Sequence, residues 1–232
     1  MKTLLCVVIL CSIPVNYGRL PPGPSYATAW QNYNSWSSST VSFILGLANY
    51  SNQQLKNPQY LDYYGRVHDR PQTIAPGVRE YMTAKKASWT FRGVSGVVSW
   101  DIGNTNKMVV VMYAKPWSAA LGSCTLAVGI FPKGDLTGFF NKMYSGEEQN
   151  FMRDYYGTDS PEGPIRYRDD PDFMIQGNMG DANQANINVS GQLPELKTNL
   201  SVLYFRLISI QSQYQALLTH LILGIKNWST IY

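Results

Sequence analysis

Between residues 42 and 191 the chain repeatedly alternates apolar and polar positions with a period of two, the spacing of strands whose faces meet different surroundings. In "FILGLANY" Phe43, Leu45 and Leu47 fall on one face, and in "TLAVGIF" Leu126, Val128 and Ile130 do the same. "VSGVVSWDI" and "KMVVVMYA" flank Gly103-Asn104-Thr105-Asn106, turn residues that predict a hairpin. "DFMIQGNM" and "ANINVSG" form a second pair about Gly180-Asp181. Many short strands separated by turn residues predict a mainly β chain folded as a compact β-sandwich.

Two stretches follow a helical period instead. Tyr26, Trp30 and Tyr33 stand at i, i+4 and i+7, with Ala29 and Trp36 near the same face, so this segment carries an aromatic stripe. Its Ser and Asn content does not support a free helix, and it is expected to become helical only on a membrane. Farther on, Asp135 is placed to cap "LTGFFNKMY", pairing Phe139 with Met143 and Phe140 with Tyr144. Gly146 loosens the chain before "EEQNFMRDYY", where Phe151 and Tyr155 are again four apart. One bent helix or two short ones are expected there. The Pro-, Gly- and Asp-rich run from Asp159 to Asp172 reads as an exposed loop.

The ends differ from this middle. Residues 1–18, "MKTLLCVVILCSIPVNYG", have the charged start and short apolar core of a secretory signal peptide. With Cys6 and Cys11 removed, Cys124 stands alone and reads as a small core residue. Asn49, Asn188, Asn199 and Asn227 each begin an N-x-S/T sequon, in keeping with secretion. After "QLPELKTN" the chain is apolar but broken by Arg206, Gln211 and His220, so it fails as a clean membrane span. The expected segmentation is therefore 1–18 leader, 19–41 N-terminal amphipathic segment, 42–191 β domain, and 192–232 linker with a helical appendage.

Composition sharpens the functional classes. Sixteen Tyr and six Trp in 232 residues suit a surface that meets a lipid interface, sugars or protein, because amphipathic rings sit well between wet and oily phases. A net charge of +4 permits attraction to anionic surfaces, yet no dense Lys/Arg patch of the nucleic-acid kind is present. His68 and His220 are the two histidines, and no HExxH, G-x-S-x-G, paired-cysteine or phosphate-loop motif occurs, so no enzyme, metal or cofactor reading is supported. One loop stands out chemically. Between "VVVMYA" and "TLAVGIF" the chain passes through Lys115-Pro116-Trp117, where a proline stiffens the backbone beside an aromatic held outward.

Three stretches, "RGVSGVVSWDIGNTNKMVVVMYAKPW", "LAVGIFPKG" and "IQGNMGDANQANINV", carry a family likeness. They resemble the actinoporins, pore-forming cytolysins of sea anemones, and more closely the actinoporin-like toxins of marine snails, over about residues 42–191. The resemblance implies a β-sandwich flanked by two short helices. It also implies a secreted, soluble monomer that binds phosphocholine head groups, preferentially sphingomyelin. Such a protein then forms a homo-oligomer on the target membrane and inserts its N-terminal segment as a helix, making a cation-conducting pore.

By the same resemblance Pro116 and Trp117 belong to the lipid head-group site. The family's aromatic trio falls on Phe151, Tyr155 and Tyr156 or, with a different gap, on Phe140 and Tyr144. Tyr26, Trp30, Tyr33 and Trp36 belong to the inserting segment, and Lys85 to the contact between protomers. The chain departs from the family pattern at Ala114, Leu121, Gly122 and Thr125, and in an N-terminal segment that is aromatic and polar where the anemone toxins are aliphatic and charged. Those departures favour a competing reading, a non-lytic, lectin-like or head-group-binding module on the same sandwich.

Overall fold

A computed structural model of the chain describes residues 20–36, 41–147, 149–156, 165–168, 172–180 and 184–191. The expected leader and the appendage after residue 191 lie outside the described residues. Among the described residues there are eleven strands and two α-helices. Helix α1 (Ser25–Trp36) precedes β1 (Ser42–Asn49), β2 (Leu55–Tyr64), β3 (Arg66–Asp69), β4 (Arg79–Lys85), β5 (Val94–Ile102), β6 (Lys107–Lys115) and β7 (Cys124–Pro132). Helix α2 (Phe139–Ser145) follows, then β8 (Phe151–Tyr156), β9 (Ile165–Arg168), β10 (Phe173–Gly180) and β11 (Gln184–Gly191).

The strands form two sheets, ordered β3-β4-β1-β11-β10-β9 and β2-β5-β6-β7-β8. Pairing is antiparallel except between β1 and β11, which run parallel from Ile44↔Gln184 to Asn49↔Val189. The predicted hairpin is β5–β6, in register at Asp101↔Met108, and the second predicted pair is β10–β11. Phe43 of one sheet stacks on Tyr113 of the other, with centroids 4.6 Å apart and planes at 12°. Leu45, Leu47, Val98, Trp100, Val111, Leu126 and Val128 fill the same space between the sheets.

The outer faces explain the unbroken apolar runs. In β6 Val109, Val111 and Tyr113 enter the inter-sheet core, while Met108, Val110 and Met112 point the other way into a second cluster with Phe140 and Met143 of α2. In β1 Ile44 turns outward and packs with Tyr81, Ala29 and Tyr33 beneath α1. Each sheet is thus covered outside by one helix. Strands buried on both faces need apolar side chains at consecutive positions, which is why "VVVM" does not alternate.

The structure corrects four expectations. Residues 151–156 form strand β8, paired with β7 from Gly129↔Phe151 to Cys124↔Tyr156, where a helix was expected. A spacing of four puts Phe151 and Tyr155 on one face in either geometry, so that pair cannot discriminate. Asp135 does not cap α2: its Oδ1 accepts the Thr137 N–H at 2.6 Å, and the helix starts after Gly138, whose φ of 81° suits glycine. Ile165–Arg168, within the expected loop, is an edge strand on β10. Finally, α1 is already helical without a membrane, because the sheet supplies the apolar partner that a free segment would lack.

Candidate functional site

A cavity of about 450 Å³ opens where the ends of β5 and β6 meet the β2 terminus, helix α2 and the loops 86–93 and 116–123. Its wall is built of stacked rings. Tyr63 lies flat against Phe140, centroids 4.1 Å apart and planes at 12°, and Phe140 stacks on Tyr144 at 5.4 Å and 10°. Tyr64 meets Tyr63 edge-on at 5.5 Å, and the Arg92 guanidinium lies 4.5 Å from the Tyr64 ring. On the far side Phe91 and Trp117 meet edge-on at 5.4 Å. The Tyr63 hydroxyl donates to Asn141 Oδ1 at 3.2 Å and fixes its ring to α2.

The polar lining is sparse and specific. Ser95 is 4% exposed, and among the described residues its hydroxyl has no hydrogen-bond partner. A buried hydroxyl without a partner costs free energy unless a ligand or water meets it. Lys115 lies beside it in the lining, and burial pushes its ammonium below the usual lysine range, the neighbouring Cys124 acting the other way. A cation already short of water gains more from an incoming anion than a solvated one does. Aromatic faces on one side, with Arg92, Lys115 and Ser95 near them, therefore suit a molecule carrying a bulky cation next to an anion.

Helix α2 keeps its place in this wall through β8. Arg153 Nη1 donates to the carbonyls of Met143, Tyr144 and Gly146 at 3.2, 2.8 and 3.3 Å, closing the C-terminal end of the helix with a cation. On the same face of β8 the Tyr155 hydroxyl donates to the Tyr144 carbonyl at 3.4 Å.

Of the residues expected at the head-group site, Pro116, Trp117 and Tyr144 line the cavity, as does Phe140. Phe151 is buried beneath α2, and Tyr155 is exposed behind Tyr144. Tyr156 is 5% exposed on the opposite face of β8, inside the inter-sheet core, where burial pushes its hydroxyl up to about 12. The α2 pair thus meets the cavity, and the trio of 151, 155 and 156 does not assemble on one surface. Sequence reasoning missed Tyr63, Tyr64, Phe91, Arg92 and Ser95. The dense tyrosines of "YLDYY" were the available signal, but Pro58 and two register shifts hide the edge strand that carries them.

The N-terminal aromatics form a separate patch. Tyr26, Trp30 and Tyr33 surround Tyr81, with Tyr26–Tyr81 at 5.2 Å and Trp30–Tyr33 edge-on at 5.7 Å. Trp36 meets His68 at 4.5 Å and takes the Lys85 ammonium over its ring at 4.2 Å. Lys85, expected at a protomer contact, is here engaged within the chain.

No protein-family model matches the chain. It is 32% identical over 141 residues to Tereporin-Ca1 of Terebra anilis, a match covering 56% of this chain and 72% of that protein. It is 27% identical over 204 residues to Conoporin-Cn1 of Conus consors, covering 82% and 80% of the two chains. Echotoxin-2 of Monoplex parthenopeus is 27% identical over 181 residues, 74% of this chain and 64% of that one. Among solved structures, the lipid-binding protein Nakanori matches with a TM-score of 0.52 over 72% of this chain and 80% of its own at 12% identity, a likeness of fold. The sandwich with a helix on each outer face, together with the tereporin match, places the chain in the actinoporin-like toxins of marine snails.

Proposed function

We propose that the chain is a secreted cytolysin that binds phosphocholine-bearing lipids, sphingomyelin among them, through the ring-walled cavity, then assembles with copies of itself and inserts α1 to form a cation-conducting pore. The observation that carries this reading is the pairing of stacked rings with the partnerless Ser95 hydroxyl and two nearby cations. A quaternary ammonium has no donor hydrogens, so aromatic faces are what can hold it. The adjoining phosphate takes the hydroxyl and the cationic groups.

The inserting step sets a length requirement. The 12 residues of α1 rise about 18 Å, well short of a hydrocarbon core of about 30 Å. Insertion therefore has to extend the helix beyond Trp36, toward β1. Release of α1 also frees Lys85 from Trp36 for a neighbouring copy. The names of the snail relatives agree with the reading.

Dye release from vesicles tests it. Release from phosphatidylcholine–sphingomyelin vesicles, and none from vesicles lacking choline lipids, is the expected result. Sedimentation with choline vesicles without release would favour the non-lytic module, and no sedimentation would remove the lipid reading altogether.

A further inference from the structure

Trp89 is 100% exposed and has a backbone φ of 62°, in the left-handed region that bulky residues avoid. Two residues on, Phe91 is 78% exposed. Both sit in the loop 86–93 between β4 and β5. That loop is held in shape. Lys86 Nζ donates to the Thr90 carbonyl at 2.8 Å, and the Thr90 hydroxyl donates to the Ala87 carbonyl at 3.1 Å. A Cβ on Gly93 would lie 1.7 Å from the Lys115 carbonyl oxygen, so the loop runs hard against the start of loop 116–123. The Phe91–Trp117 contact joins the two loops into one tip, with Leu121 also exposed upon it.

The Phe91–Trp117 contact apart, this display leaves apolar surface in water. Two large apolar side chains are kept in water on a braced loop, one on an unfavourable backbone, so the compensation has to come from outside the chain. Three features select a bilayer interface as the occupant. Trp and Phe on a rigid loop are the side chains that settle at head-group level without a spanning segment. Lys86 is held within the loop at the Thr90 carbonyl, and Arg92 and Lys115 line the adjoining cavity, so cations accompany the tip for lipid phosphates to meet. The tip is also continuous with the cavity, since Phe91, Arg92, Trp117 and Leu121 belong to both.

We propose that Trp89 and Phe91 are a second membrane-docking loop, which sinks into the interface when the cavity takes a head group and supplies much of the affinity for the lipid surface. This rests on the cavity reading above. It extends that reading to Trp89, which is not among the cavity's lining residues, and gives Phe91 a second role at the tip.

The full-length protein, its W89F variant and its W89A/F91A variant are titrated with phosphatidylcholine–sphingomyelin vesicles carrying phosphatidylcholine brominated in the acyl chains. Wild-type tryptophan fluorescence should be quenched on binding. W89F should bind nearly as well but lose a large part of that quenching. W89A/F91A should keep the wild-type melting temperature, as expected for exposed loop residues, and partition about 10- to 100-fold less strongly. Binding by W89A/F91A equal to wild type, or quenching of W89F equal to wild type, would overturn the proposal while leaving the cavity reading standing. Failure of the wild-type protein to bind these vesicles would overturn both. Concentration-dependent self-association in lipid-free solution, abolished by W89A/F91A, would assign the tip to a second copy and overturn the bilayer as its occupant.

Discussion

Ser25 and Glu80 lie 55 residues apart in the chain and meet at the N-terminus of α1, where the Ser25 backbone N–H donates to Glu80 Oε2 at 3.1 Å and the Ser25 hydroxyl donates to the same oxygen. The Ser25 hydroxyl in turn accepts the Tyr81 N–H at 2.7 Å. Glu80 is only 7% exposed, so a buried carboxylate faces the positive end of the helix. At the other end Asn32 Nδ2 donates to Asp69 Oδ1 at 2.8 Å, and Lys85 lies over Trp36. The middle is apolar, with Ala29 and Tyr33 against Ile44. The helix that would leave the sheet is therefore fastened at both ends by polar and cation–π contacts, which water and lipid head groups can replace.

Replacing Glu80 with Gln keeps the shape and removes the charge. The latch should weaken by about 1–3 kcal/mol, the range for hydrogen bonds to charged groups. Amide hydrogen exchange should quicken in the first turns of α1 and stay unchanged in β5 and β6. Unchanged exchange in α1 would show that the carboxylate does not hold the helix.

Ser95→Ala should separate binding from folding. An unpartnered buried hydroxyl contributes nothing to the fold, so its removal should leave the melting temperature level or slightly raised. Affinity for phosphocholine should fall by about 1 kcal/mol, the worth of one hydrogen bond. A loss of stability of that size instead would mean the hydroxyl is bonded within the protein.

Alkaline pH should destabilise the sandwich. The folded-state pKa values of Tyr156, raised to about 12, and of fully buried Tyr113, also raised, exceed the unfolded value near 10, and burial is the leading cause for both. The folded chain then holds more protons than the unfolded one above pH 10. The stabilisation is complete below that pH and is lost as pH rises through the folded values. Denaturant midpoints measured from pH 9 to 12 should fall, and Tyr156→Phe should make the fall shallower. An identical slope in that variant would rule Tyr156 out as a source.

Arg153→Met should loosen the cavity without touching its lining. The substitution keeps the apolar stem and removes the donors to the Met143 and Tyr144 carbonyls of α2 and to that of Gly146 just past its end, a loss of about 1.5–3 kcal/mol for charge-assisted bonds. Lower stability and weaker phosphocholine binding should appear together, with Arg153→Lys intermediate in both. Binding at wild-type strength in a destabilised Arg153→Met protein would show that Tyr144 holds its position without β8.

Where the local pattern was strong, the chain read true. The β5–β6 hairpin, the inward faces of β1 and β7, the β10–β11 pair, buried Cys124 and the outward Trp117 all follow from periodicity and turn residues that act over a few positions. The cavity was legible only from the Lys115-Pro116-Trp117 side and from the Phe140–Tyr144 pair. Tyr63, Phe91, Arg92 and Ser95 come from a bulged edge strand, a loop and the outer face of a strand, and no spacing in sequence links them.

The sequence by itself determined the β class, the strands with clear alternation and the supply of aromatics, because side-chain period and turn chemistry are local properties. Tertiary structure alone decided that residues 151–156 form a strand, since pairing with β7 outweighs a spacing that suits both geometries. It also decided that α1 is formed on the sheet, because burial against Ile44 and Tyr81 supplies the free energy its polar residues lack. It decided which aromatics share a wall, because pairing of β2 and β6 with β5 brings their C-terminal ends to one end of the sheet, beside α2.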